Sequence, residues 1–129
     1  MIKDSEMKVT VSSHKRVEEK YIQEGCYITE IWSTDIDHQV SIARVHVEPG
    51  KVTQTHSLRG TLERYLIIEG KGAVEIEGLG GWKEVKRGDV VLIPESKKQQ
   101  IKNTGDVDLV FYCICSPRFV EASYEKRED

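Results

Sequence analysis

The segment "HSLRGTLERYLIIEG", residues 56–70, places a histidine and a glutamate on two strand-like runs that meet at a glycine turn. If the turn is a tight hairpin at Arg59-Gly60, His56 lies directly opposite Glu63, and Leu58 shares the face of His56. Directly opposed residues have Cβ atoms roughly 4.5–5.5 Å apart, so an imidazole and a carboxylate there can share one metal ion. Taken alone, such a pair more often forms a cross-strand ion pair than a metal site. The choice between the two interpretations depends on the rest of the sequence.

Most of the chain alternates with a period of two residues between turns rich in glycine and proline. We predict strands over residues 25–33, 39–50, 64–70, 73–78, 90–94, 99–103 and 107–115, and a further short strand between residues 78 and 89. Only residues 15–24 have the pattern of a short helix or helical turn. Many short strands separated by turns predict an all-β sandwich or barrel.

The composition narrows the class of protein. The chain has 129 residues, a net charge of −3 and a hydrophobic fraction of 38%, which favours one domain with its own core. No apolar run is long enough to cross a bilayer, and the N-terminus lacks the apolar region of a secretory signal, so we expect a cytoplasmic protein without membrane contact. Basic residues are scattered among acidic ones, which argues against a nucleic-acid partner. Three cysteines predict packing residues rather than disulfides, with Cys113 and Cys115 as a less favoured pair of soft metal ligands.

The spacing around the opening segment resembles the two motifs of the cupin family. The first motif of that family is matched by Gly50, His56, Glu63 and Gly70, and the second by Gly88, Pro94, Gln99 and Asn103, all at the family's spacing. The resemblance covers about residues 40–116 and implies a single-domain cupin, a double-stranded β-helix or jelly-roll barrel. Residues 1–38 would form an N-terminal strand or arm, and residues 117–129 a C-terminal tail. Residues 108–119 also resemble the end of small cupins described as mannose-6-phosphate isomerase-like.

The resemblance also implies a metal site, and the chain departs from it at two positions. Cupins typically bind one divalent metal through three histidines and one glutamate. His56 and Glu63 match that set, whereas Leu58 and Gln99 stand where the other two histidines are expected. A leucine cannot bind a metal, and a glutamine offers only a neutral amide oxygen.

Three interpretations stay open. In the first, His56, Glu63 and Gln99 bind a divalent ion (Zn, Mn, Fe or Ni), and the protein is an isomerase or oxygenase of a small polar molecule such as a sugar phosphate. Glu63 and Tyr65 would then handle protons. In the second, the barrel binds a small ligand without metal, with or without acid–base chemistry by His56 and Glu63. In the third, the polar residues form an inert core. Whether the protein is an enzyme therefore stays undecided.

Two further expectations concern the surroundings of this site. His46 could face the cavity, although a position at the surface or at an interface is favoured, because Val45 and Val47 supply the apolar face. Lys97 and Lys98 could attract an anionic substrate, although a solvated turn is favoured. The resemblance also implies a homodimer, with residues 21–33 as the exchanged or covering segment.

Overall fold

The computed structural model of the protein describes residues 7–13 and 19–128. Eleven strands and one short 3-10 helix occur in this part of the chain. The strands are β1 Lys20–Ile22, β2 Cys26–Trp32, β3 Ser41–Val47, β4 His56–Leu58, β5 Leu62–Glu69, β6 Lys71–Ile76, β7 Trp82–Lys86, β8 Val90–Ile93, β9 Gln99–Asn103, β10 Leu109–Ser116 and β11 Tyr124–Lys126. The 3-10 helix, Glu121–Ser123, directly precedes β11.

The strands form two antiparallel sheets that close a barrel. The first sheet has the order β1-β2-β3-β10-β5-β8, and the second has the order β11-β4-β9-β6-β7. From β3 onward the chain passes repeatedly from one sheet to the other, as in a jelly roll. The predicted all-β jelly-roll barrel is confirmed. Among the described residues, no helix is long and apolar enough to span a membrane.

Alternating side chains from both sheets build the interior. Phe111, Ile67, Ile93 and Ile101 are each at most 1% exposed and belong to one apolar cluster. At the turn between β5 and β6, Gly70 has a φ of +78°, and a Cβ there would lie 2.7 Å from the carbonyl oxygen of Asp108. Only glycine fits such a close approach of two backbones in the left-handed region.

The N-terminal helix prediction over residues 15–24 is wrong where the structure describes it. Lys20–Ile22 is a strand that pairs with β2, and a turn follows at residues 23–25. The helical pattern is short, and strand pairing overrides a weak local propensity. Residues 14–18 lie outside the described part of the chain.

The predicted hairpin at Arg59-Gly60 is also wrong. Strand β4 pairs with β9 and β11 in one sheet, whereas β5 pairs with β10 and β8 in the other. Gly60, at a φ of +80°, turns the chain from one sheet to the other. His56 is therefore opposite Gln99 in its own sheet, and Glu63 belongs to the facing wall. His56 and Glu63 nevertheless line one cavity, from facing walls of the barrel.

Candidate functional site

A cavity of about 550 Å³ opens between the two sheets. His56 and Leu58 of β4 line one wall, and Glu63 and Tyr65 of β5 line the other. The alternation of side chains along each strand places these pairs on the inner face. The structure thus brings together four of the residues that the sequence analysis singled out. Gln99 does not line this cavity and reaches it through Tyr65.

Both ring nitrogens of His56 have protein partners. Nδ1 lies 2.9 Å from the carbonyl oxygen of Gln54, and since a carbonyl only accepts, Nδ1 carries a hydrogen. Nε2 lies 3.2 Å from Oε1 of Glu24. The ring of Tyr124 stacks on the imidazole with the centroids 5.0 Å apart. The imidazole is held in one orientation, and its Nε2 can share a proton with the Glu24 carboxylate.

Glu24 is a site residue that the sequence analysis missed. It lies in the turn after β1, and its carboxylate also accepts a hydrogen bond from Sγ of Cys26 at 3.3 Å. Its backbone oxygen accepts from the amide of Gln54 at 2.7 Å, which ties this turn to the segment that enters β4. No local sequence signal indicates the contact, because it joins segments that meet only in the folded barrel.

Glu63 has a buried carboxyl group, one oxygen of which lacks a hydrogen-bond partner among the described residues. The residue is 6% exposed, and the oxygen without a partner there is Oε1. Burial disfavours the charged carboxylate and raises the pKa of Glu63 from its ordinary 4.5 to about 7, although the positive charge of His56 and the nearby side chains of Gln99 and Cys113 oppose this. The negative charge of Glu24 raises the pKa of Glu63 further. A carboxyl group that exchanges its proton near neutral pH suits general acid–base chemistry.

Tyr65 and Gln99 form a second buried pair. The hydroxyl of Tyr65 donates to Oε1 of Gln99 at 2.5 Å, which leaves Nε2 of Gln99 without a partner among the described residues. Burial and the nearby charge of Glu63 raise the pKa of Tyr65 well above its ordinary value. Tyr65 therefore keeps its proton near neutral pH and orients the amide of Gln99, and its role in proton handling stays a prediction.

The donor set does not fit the metal site that the family resemblance implies. Leu58 supplies an apolar side chain where that site needs an imidazole, and Oε1 of Gln99 already accepts from Tyr65. Nε2 of His56, the ring nitrogen that Gln54 leaves available, is paired with Glu24. Among residues 7–13 and 19–128, no group of three or more histidine, cysteine, aspartate or glutamate side chains is placed to hold a metal ion.

Three further candidates from the sequence, His46, Lys97 and Lys98, do not line the cavity. His46 points away from this cavity and pairs through Nδ1 with Glu19 at 3.0 Å, while Val45 and Val47 enter the core, as favoured from the sequence.

The thiols on the cavity wall are not activated. Cys113 and Cys115 both line the cavity, and both are free. Burial and the charge of Glu63 raise the pKa of the Cys113 thiol well above its ordinary value. The same two causes raise the pKa of Cys115 to about 12. Both groups therefore stay protonated near neutral pH and do not act as nucleophiles there.

Known proteins are similar to this chain in sequence or in fold. An uncharacterized protein of Methanocaldococcus jannaschii is 29% identical over 115 residues, which cover 88% of this chain and 90% of that protein. The crystal structure of a predicted oxalate decarboxylase from Thermotoga maritima has a TM-score of 0.74 at 23% identity, covering 84% of this chain and 99% of that one. The nucleoside dehydratase Pac13 of Streptomyces has a TM-score of 0.77 at 15% identity, covering 94% and 92%.

These structural likenesses concern the fold, because each identity lies below 25%. Membership of a family is shown by the sequence match to a family profile. The family profile described as Cupin domain matches residues 43–115, which is more than half of the chain and contains both motifs. The chain belongs to the cupin family.

Proposed function

We propose that this cupin binds a small polar molecule in the cavity between its sheets and transfers protons to and from it without a metal ion. The observation that carries the proposal is Glu63, whose side chain lines the cavity and whose buried Oε1 has no hydrogen-bond partner among the described residues. Buried polar groups without partners are costly, so such a group at a cavity wall is best explained by a ligand that completes its hydrogen bonds.

Two proton-handling groups stand on opposite walls. Glu63, with a pKa near 7, is present in both protonation states at neutral pH and can donate or accept a proton. His56, oriented by Gln54 and paired with Glu24, can take the complementary role through Nε2. A molecule between them would lose a proton to one group and gain a proton from the other. Isomerisation and elimination reactions need this kind of paired transfer.

The apolar part of the wall supports the same chemistry. Leu58 and Phe111 line the cavity beside the two acid–base groups. Their side chains keep the local dielectric low, which strengthens electrostatic interactions with a bound molecule. In this proposal Leu58 is a shaping residue of the pocket, which accounts for a leucine at a position where the family pattern has a histidine.

Solved structures with the same barrel include proteins of different chemistry. The same barrel occurs in a protein described as a nucleoside dehydratase, a variant of which was crystallised with uridine. Another neighbour is described as a predicted oxalate decarboxylase. One fold can host many different reactions, so the reaction is inferred from the residues of the site and not from the fold. The sugar-phosphate substrate and the ion bound by His56, Glu63 and Gln99 stay predictions that compete with this proposal.

The test uses NMR spectra of the protein in the presence of a strong chelator. Uridine, oxalate and mannose 6-phosphate are added separately, and the amide resonances of β4, β5 and β10 are followed together with the signals of each probe. We expect at least one probe to shift resonances at the cavity wall in chelator, and Glu63→Gln and His56→Gln to abolish any conversion of it. Binding or conversion by the wild-type protein that appears only after a divalent metal is added would refute the metal-free proposal.

A further inference from the structure

The charged side chains around the cavity are almost all of one sign. Glu24 and Glu63 lie inside it, and the exposed Glu30 and Glu121 lie at its edge. Of the described residues that line the cavity, His56 alone is a titratable base, and it is already paired with Glu24. Among residues 7–13 and 19–128, no lysine or arginine lines the cavity. A cavity with this lining repels anions and attracts cations.

Aromatic rings form a second part of the wall. Tyr65, Phe111, Phe119 and Tyr124 all line the cavity. Tyr65 and Phe111 pack against each other at a centroid distance of 4.5 Å, and Tyr124 stacks on His56. Faces of aromatic rings attract cations, by about 0.5–2 kcal/mol according to how far the cation is desolvated. Carboxylates and aromatic rings together favour an organic cation with an apolar body.

An independent observation points to a ligand at this place. Oε1 of Glu63 is buried and has no partner among the described residues, although the side chain lines the cavity. The hydroxyl oxygen of Tyr124, on the opposite wall, is also buried without a partner there. An ammonium group has three N–H donors and no acceptor, which matches an unpartnered carboxylate oxygen.

We infer that the ligand of this cavity is a small organic cation, an ammonium group carried on an apolar or aromatic body, held by Glu63 and the carboxylates at the cavity edge. This inference rests on the proposed function for the location of the ligand and adds its chemical class. It disfavours anionic ligands such as oxalate or a sugar phosphate. Arg118 is a cation that contacts this lining: its Nη2 donates to Ser33 of the lining at 3.3 Å, and its buried Nε has no partner among the described residues, but Arg118 does not itself line the cavity.

The test compares three probes that share one aromatic body and differ in charge. Benzylammonium, benzyl alcohol and benzoate are titrated into the protein at pH 7.5 and low salt, with chelator present, and binding is followed by shifts of the cavity-wall amide resonances. We expect benzylammonium to bind roughly tenfold more tightly than benzyl alcohol, in line with one charge-assisted contact and aromatic faces. Benzoate is expected to bind more weakly than either.

Variants at the cavity edge test the role of charge without touching the acid–base groups. Glu30→Gln and Glu121→Gln are each expected to weaken benzylammonium binding roughly two- to fivefold and to leave benzyl alcohol unchanged, as for exposed ion pairs. Glu84→Gln, on the exposed face of β7, makes the same charge change away from the cavity and is expected to have no effect. Added salt should reduce the preference for benzylammonium.

The outcomes separate this inference from the proposed function. Equal binding of all three probes, tighter binding of benzoate, or no binding of any probe at the cavity would overturn the inference. A preference for benzylammonium that persists in a protein found to contain metal, or to lack proton transfer, would leave the charge selectivity standing while the proposed function fails.

Discussion

Replacing Glu63 with glutamine changes stability in a way that depends on pH. Glutamine resembles the protonated carboxyl in size and hydrogen bonding but cannot lose a proton. Because the folded protein raises the pKa of Glu63 from 4.5 to about 7, the folded state binds this proton more tightly than the unfolded state does. The contribution of Glu63 to stability is therefore fully present below pH 4.5 and is lost as the pH rises to about 7.

The size of the effect follows from the two pKa values. The interval between 4.5 and about 7 corresponds to roughly 3 kcal/mol at 1.36 kcal/mol for each pH unit. Because Glu63 is 6% exposed, little of this is screened by solvent. The free energy of unfolding of Glu63→Gln minus that of the wild type is therefore expected to grow by roughly 3 kcal/mol between pH 4.5 and pH 8.

Urea denaturation followed by tryptophan fluorescence at a series of pH values measures this difference. Glu84→Gln provides the control, because it removes a carboxyl group from an exposed position of β7. Comparison within one pH removes the contribution of every other titrating group that the variants share with the wild type. If the difference for Glu63→Gln stays constant across this pH range, the proposed protonation of Glu63 near neutral pH is refuted.

Three further predictions concern the same site and the assembly. Tyr65→Phe removes the hydroxyl that donates to the buried oxygen of Gln99 and should lower the free energy of unfolding by about 1–3 kcal/mol in urea titrations; an unchanged midpoint would contradict the pairing. Adding imidazoles with the double variant Leu58→His and Gln99→His should create Zn²⁺ uptake, measured by elemental analysis after dialysis, that the wild type lacks. Light scattering should give twice the chain mass at micromolar concentration if residues 21–33 contribute to a homodimer, and a monomer mass would remove that prediction.

The strands were largely predictable from the sequence, because alternation of side chains reports directly on one buried face. Residues 99–103 form β9 with the bounds predicted, and residues 25–33 contain β2. The apolar run at residues 90–94 correctly predicts β8, but Val90 and Leu92 are 64% and 57% exposed. Strand β8 lies at the edge of its sheet, and an edge position cannot be read from composition.

The two short strands at the ends of the sheets could not be predicted in this way. Strands β1 and β11 have three residues each, too few to show a period. Tyr124 in β11 pairs with Leu58 in β4, and only this long-range pairing makes the segment a strand. The hairpin at Gly60 failed for a related reason, since local alternation does not reveal that the chain crosses to the other sheet.

The candidate site was predicted in part. The motif spacing identified His56 and Glu63, and the alternation of side chains along the strand placed Tyr65 on the face of Glu63. The spacing did not identify Glu24, the partner of His56, or Tyr124, which stacks on it. Both belong to segments outside the motifs, and their positions depend on how the two ends of the chain close over the barrel.

The central claim is that the cavity works without a metal ion, and elemental analysis of the purified, untagged protein tests it most directly. The protein is measured as isolated and again after incubation with Zn²⁺, Mn²⁺, Fe²⁺ or Ni²⁺ followed by dialysis, beside Glu63→Ala. We expect no stoichiometric metal in either protein, because Nε2 of His56 is paired with Glu24 and Oε1 of Gln99 with Tyr65. Close to one metal ion per chain in the wild type, lost in Glu63→Ala, would contradict this expectation and establish the site formed by His56, Glu63 and Gln99.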